Sequence, residues 1–159
     1  MIDAKITLTT EEGENRQFVA QSGSGHAVVI DDKHGNTGCR PIELVLMGLG
    51  GCTAFDVISI LRKKRQKINS YQVLLSAEQK GEPPSIFTHV NVKHILRGTE
   101  IAPKAVEDAI RLSETKYCSV AAMISKTAQI DVQYEIRNDQ GDLVATSEPT
   151  NVPVFHGAL

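Results

Sequence analysis

Residues 41–67 form a helix-length segment that is apolar on nearly every side from Ile42 to Leu61. Pro41 suits the first turn of a helix. The closing run Arg62-Lys63-Lys64-Arg65-Gln66-Lys67 complements the macrodipole as a solvated terminus, which is the ordinary role of such charges. A helix this apolar cannot lie on one sheet with its back to water. Either it is the centre of a large core or a second chain covers its other face. A chain of 159 residues has the size of one compact domain and few elements left to wrap it. The expectation is an obligate homodimer with this helix near the two-fold interface. Burial in lipid is not expected. The uncharged run from Leu44 ends at Asp56 after 12 residues, and a bilayer needs about 20.

Around that segment, strand patterns dominate. Ala4, Ile6 and Leu8 alternate with polar partners, and Glu12-Gly13-Glu14-Asn15 reads as a turn. Further strands are expected over 16–21, 27–30, 71–79, 87–97 and 130–137, with helices over 102–116 and from Cys118. A mobile polar loop is expected over 33–38, and an irregular end over the last eleven residues. The order βββ–α–ββ–αα–β predicts an α+β fold of antiparallel meanders around one long helix. A single domain over 1–137 is expected, with 138–159 as a C-terminal extension in which a further strand or a tail is open.

Composition narrows the partners. Seventeen basic against nineteen acidic side chains give a net charge of −2, which carries no nucleic-acid footprint. Seven aromatics without Trp supply no stacking platform for single strands. Three cysteines with no CxxC indicate neither a disulfide framework nor a zinc knuckle. The N-terminal residues lack an apolar signal core, so a reducing cytoplasmic setting is expected. The five histidines read as structural or exposed; His89 and His94 fall on opposite faces of one strand and cannot share a metal from it.

On the long helix, Val45, Gly48, Leu49, Phe55, Asp56, Ser59 and Lys63 lie within about 60° of Cys52. That face puts a thiol, a carboxylate, a hydroxyl and an amine among apolar neighbours, and buried groups of this kind need partners or a cleft. Gly48, Gly50 and Gly51 cost about 0.8–1 kcal/mol each relative to Ala. Close helix packing explains them, or open space beside Cys52. A Cys in an apolar helix is ordinarily inert. Cys118 precedes a helix and follows Lys116, features that stabilise a thiolate. Cys39 reads as an incidental exposed thiol.

The stretch Pro41-Ile42-Glu43-Leu44-Val45-Leu46-Met47-Gly48-Leu49-Gly50-Gly51-Cys52-Thr53-Ala54 resembles the central-helix motif of the OsmC/Ohr family, osmotically inducible and organic hydroperoxide resistance proteins. Lys116-Tyr117-Cys118-Ser119-Val120 resembles its second cysteine motif, 66 residues on. Ser24-Gly25-His26 and Phe87-Thr88-His89-Val90 resemble a YhfA-like branch. The resemblance implies an intertwined dimer and a thiol-dependent peroxidase that prefers organic hydroperoxides, in oxidative stress defence. Cys52 would be the peroxidatic thiolate and Cys118 the resolving thiol, with a dithiol as reductant. No metal or organic cofactor is implied.

The resemblance also calls for a carboxylate and a cation beside the thiolate, for which Glu43 and Arg16 are the candidates, with Arg40 as a substitute. In the peroxidase branches a Glu directly follows the motif's Pro. Here Ile42 holds that place, and Glu43 falls roughly opposite Cys52 on the helix. A different reading of the same scaffold is a non-catalytic dimeric module that holds an apolar ligand.

Overall fold

The computed structural model describes residues 1–13 and 15–151. Glu14, within the expected turn, and most of the irregular end, with Pro153 and His156, lie outside the described residues. The chain divides into two compact units, Met1–Leu46 and Met47–Leu159.

The first unit is a three-stranded antiparallel meander of β1 (Ala4–Glu12), β2 (Asn15–Ser22) and β3 (Ala27–Ile30), paired in that order. The polar loop that follows is organised by two carboxylates. Asp31 accepts hydrogen bonds from the Thr37 N–H at 2.9 Å and from its hydroxyl, and Asp32 accepts from the N–H groups of His34 and Arg16. The Cys39 backbone bridges to β3, its N–H donating to the Val29 carbonyl at 3.2 Å. A Cβ on Gly38 would stand 2.6 Å from that carbonyl oxygen, so only glycine fits there. Cys39, expected to be exposed, is half-buried for this reason.

Helix α1 (Pro41–Lys63) starts in the first unit and runs into the second. Its first turn is closed by Glu43, whose Oε2 accepts the Arg40 N–H at 2.9 Å, the carboxylate half of a capping box. It ends four residues earlier than the expected 41–67. The Gln66 N–H reaches the Leu61 carbonyl, the Arg65 N–H reaches that of Arg62, and Arg65 takes a left-handed φ of 57°. This is a Schellman ending with arginine where glycine is usual, so the basic run gives no stop signal.

In the second unit, β4 (Lys67–Gln79) and β5 (Phe87–Thr99) form a long antiparallel hairpin. Next come α2 (Pro103–Leu112), a π-helical turn (Ser113–Tyr117), α3 (Ser119–Ile124) and β6 (Gln129–Arg137). The fold is α+β, as expected, but its sheets are not wholly antiparallel: β5 and β6 pair in parallel. The helical connection through α2 and α3 carries the chain back to the end where β5 began, and such a crossover enforces parallel pairing. Residues beyond 137 continue the sheet, with β7 (Leu143–Thr146) and β8 (Thr150–Asn151) both antiparallel to β6. The core gathers Val90, Val92, Leu96, Ile130 and Ile136 from the sheet with Val57 and Leu61 of α1.

Within this unit, α1 buries Leu49, Thr53, Val57 and Leu61, spaced four apart. Gly50 is a packing glycine, since a Cβ there would meet Leu75 Cδ1 at 2.6 Å. Among the described residues Gly48 and Gly51 have no such neighbour within 4 Å, and they share an exposed face with Met47 and Phe55, the latter 77% exposed. By length and hydropathy alone α1 could cross a membrane. Its buried ridge and the hydrogen-bonded Asp56 within it are features of a core helix.

Candidate paired-cysteine site

Cys52 projects from the middle of α1 and Cys118 caps the N-terminus of α3. The fold brings them together: their sulfurs and a carboxylate oxygen of Asp56 all lie within 4.8 Å of one another. Asp56 stands one helical turn from Cys52, so α1 itself sets that pair. Cys52 is half-buried, whereas Cys118 is 1% exposed.

The position of Cys118 does not produce the thiolate that its sequence context predicts. Its sulfur does accept the Ala121 N–H, at 3.4 Å. Burial nevertheless dominates, and with the hydrogen bond to Cys52 and the nearby Glu114 it pushes the thiol up to about 12. The Lys116 ammonium sits over the Tyr117 ring, 5.4 Å from the centroid. Cys118 therefore keeps its proton.

A polar chain runs behind the sulfurs. Ser113 Oγ lies 3.1 Å from both Asp56 Oδ2 and Thr53 Oγ1, and the Thr53 hydroxyl reaches Glu114 Oε1 at 3.2 Å. Glu114 is buried, its Oε2 has no hydrogen-bond partner among the described residues, and burial raises its carboxyl to about 7, with the Asp56 charge adding to the shift. Tyr71 stacks on His94 and its hydroxyl lies 2.7 Å from Nδ1. Burial first, then the charges of Glu114 and Asp56, raise the Tyr71 phenol. His94 is fully buried, its Nε2 has no hydrogen-bond partner among the described residues, and burial lowers it to about 4. His89, on the opposite strand face as expected, pairs with Asp131 at 2.8 Å.

Glu114 also borders a cavity of about 390 Å³ between α2 and β6–β8. Sequence reasoning missed it. The buried face of α2 runs through Val106, Ala109 and Ile110, and the same spacing continues to Ser113 and Glu114. That extension was the available signal.

The other expected site residues belong to the first unit. Glu43 caps α1 and pairs with Arg40 at 3.8 Å. Arg16 and Arg40 line one depression of about 470 Å³ with Phe18, Ile30 and Asp31. The two cations that sequence reasoning proposed separately thus share one concave surface.

A small α+β protein whose central helix presents one cysteine to another at a helix cap belongs to the class of paired-thiol scaffolds. A model of the OsmC-like protein family matches residues 33–133. The chain belongs to that family, and protein YhfA of Escherichia coli K12 is 42% identical to it over 123 residues, 77% of this chain and 92% of the relative. A hypothetical protein from Aquifex aeolicus VF5 superposes with a TM-score of 0.77 at 28% identity, over 87% of this chain and 98% of that one. An organic hydroperoxide resistance protein from Elizabethkingia anophelis shares the fold, with a TM-score of 0.60 at 14% identity over 87% and 96% of the two chains.

Proposed function

We propose that the protein is a two-cysteine peroxidase for organic hydroperoxides. The observation that carries this reading is the approach of the two sulfurs, one half-buried and one sealed. The Cys52 thiolate attacks a peroxide oxygen, the O–O bond breaks, and the leaving alkoxide takes a proton to become the alcohol while Cys52 becomes a sulfenic acid. Cys118 then gives up its proton and attacks the sulfenic sulfur; water leaves and a disulfide forms. A dithiol returns both thiols and is itself oxidised to a disulfide. Asp56, within reach of both sulfurs, is the natural carrier for the Cys52 proton. The resemblance calls for a cation and a carboxylate at the thiolate, and Arg16, Arg40 and Glu43 are proposed for these parts on that ground; Arg40 pairs with Glu43 at 3.8 Å.

One equivalent of cumene hydroperoxide should give a Cys52–Cys118 disulfide in peptide mass spectra before any adduct on Cys39. An adduct on Cys39 first, with Cys52 and Cys118 still reduced, would overturn the reading.

The working form is proposed to be a homodimer. Gly48, Gly51 and Phe55 stand on an exposed apolar face of α1, with small residues that permit close helix approach. A second copy of the same face supplies a matching cover. Sedimentation at low micromolar concentration should give twice the chain mass, and Phe55→Glu should shift it to the monomer. A wild-type monomer under those conditions removes the dimer.

A further inference from the structure

We propose that the reduced protein binds one Zn²⁺ per chain through Cys52 Sγ, Cys118 Sγ and an Asp56 carboxylate oxygen. Three atoms within 4.8 Å of one another share a point about 2.8 Å or less from each. Zinc requires roughly 2.3 Å to sulfur and 2.0–2.2 Å to a carboxylate oxygen, so side-chain shifts of about half an ångström complete the contacts. All three donors stand on defined helical positions: Cys52 and Asp56 one turn apart on α1, Cys118 at the cap of α3.

A further carboxylate lies close by. Glu114 is 3% exposed, and its Oε2 has no hydrogen-bond partner among the described residues. Its Oε1 reaches Thr53, next to Cys52, and its charge acts on Cys118. A buried carboxylate without its full set of partners is costly, and a cation bound nearby lowers that cost. Two sulfurs with one carboxylate oxygen make a borderline set that suits Zn²⁺. It is poorer for the softer Cu⁺ and too soft for Mg²⁺ or Ca²⁺.

The charge balance is direct. Both thiols lose their protons to solvent, and two thiolates and the Asp56 carboxylate face the divalent ion. Sulfur held in this way is neither a free nucleophile nor free to form a disulfide. The site shares its sulfurs with the proposed peroxidase but does not depend on that activity, so binding is tested with no hydroperoxide present.

The experiment uses the full chain, reduced with a phosphine and freed of metal by chelation, then given Zn²⁺ and pulsed with iodoacetamide. One equivalent of zinc should slow labelling of the half-buried Cys52 by more than tenfold while Cys39 labels at its metal-free rate. Co²⁺ in place of zinc should give a thiolate-to-metal charge-transfer band. Cys52→Ser and Cys118→Ser should each weaken binding by at least about a hundredfold, Asp56→Asn by about tenfold, and Cys39→Ser not at all. Unchanged labelling of Cys52 in wild type overturns the site without recourse to any variant. Zinc retained by Cys52→Ser with wild-type affinity does so as well.

Discussion

The Glu114→Gln variant, metal-free, should unfold at a higher temperature than wild type at pH 8, by about 6–12 °C for a stabilisation of roughly 3 kcal/mol. Burial holds the Glu114 carboxyl at about 7 in the native protein, well above the unfolded range near 4.5. Between those values the unfolded chain has released a proton that the native chain still holds, so stability falls as pH rises through the window. Above pH 7 the native protein carries a buried carboxylate that the amide does not. His94 works in the opposite direction. Burial depresses it to about 4, so as pH falls from about 6.5 the unfolded chain gains a proton the native chain refuses. Each group is worth roughly 3 kcal/mol over its window, about 1.4 kcal/mol per pH unit. Between pH 4.5 and 6.5 the two slopes oppose and largely cancel in wild type. Glu114→Gln leaves the His94 slope alone, so the variant that gains stability at pH 8 should lose it steadily on acidification. Urea unfolding from pH 4.5 to 8 measures both effects. Equal stability of variant and wild type at pH 8 would mean that Glu114 is never an ionised buried group.

The sequence makes the scaffold readable because its signals are local. Pro41 marks the first turn of α1, alternation marks β5 and β6, and Pro103 with the Val106, Ala109 and Ile110 spacing marks α2. The end of α1 is not readable in this way, because its left-handed residue is Arg65 within a run of good helix formers. The parallel β5–β6 pair follows from the helical crossover, a tertiary fact that no strand pattern encodes. At the site, the approach of Cys52 and Cys118 follows from the resemblance rather than from spacing, since 66 residues separate them. The ionisation of Cys118 misleads for a physical reason. Position at a helix start is visible in sequence, while desolvation depends on what the rest of the chain stacks over the sulfur. Glu114 is hidden in the same way: the Val106, Ala109, Ile110 and Ser113 spacing marks the inner face of α2, but nothing local shows that Glu114 is buried beside it.

Replacing each cysteine in turn should separate the two halves of the proposed cycle. Cys52→Ser removes the sulfur that attacks the peroxide, and turnover of cumene hydroperoxide with a dithiol should drop at least about 10³-fold, a loss of about 4 kcal/mol in transition-state stabilisation. Cys118→Ser leaves that attack in place. One equivalent of cumyl alcohol per chain should still appear in a rapid burst, but steady turnover should fall about 10²-fold. The difference lies in how the sulfenic acid is reduced. In wild type the resolving sulfur is already within 4.8 Å and acts as an intramolecular reactant, whereas an external dithiol must enter a half-buried site at millimolar concentration. The stranded sulfenic acid should then take a second oxygen from excess hydroperoxide, giving a sulfinic acid on Cys52 by mass spectrometry. The sealed Cys118 sulfur sharpens the contrast. Because burial keeps it protonated, it should not compete for peroxide, and its part in the proposed cycle is to meet an oxidised Cys52. Wild-type steady turnover by Cys118→Ser would confine the chemistry to a single cysteine, and a burst retained by Cys52→Ser would move it elsewhere in the chain.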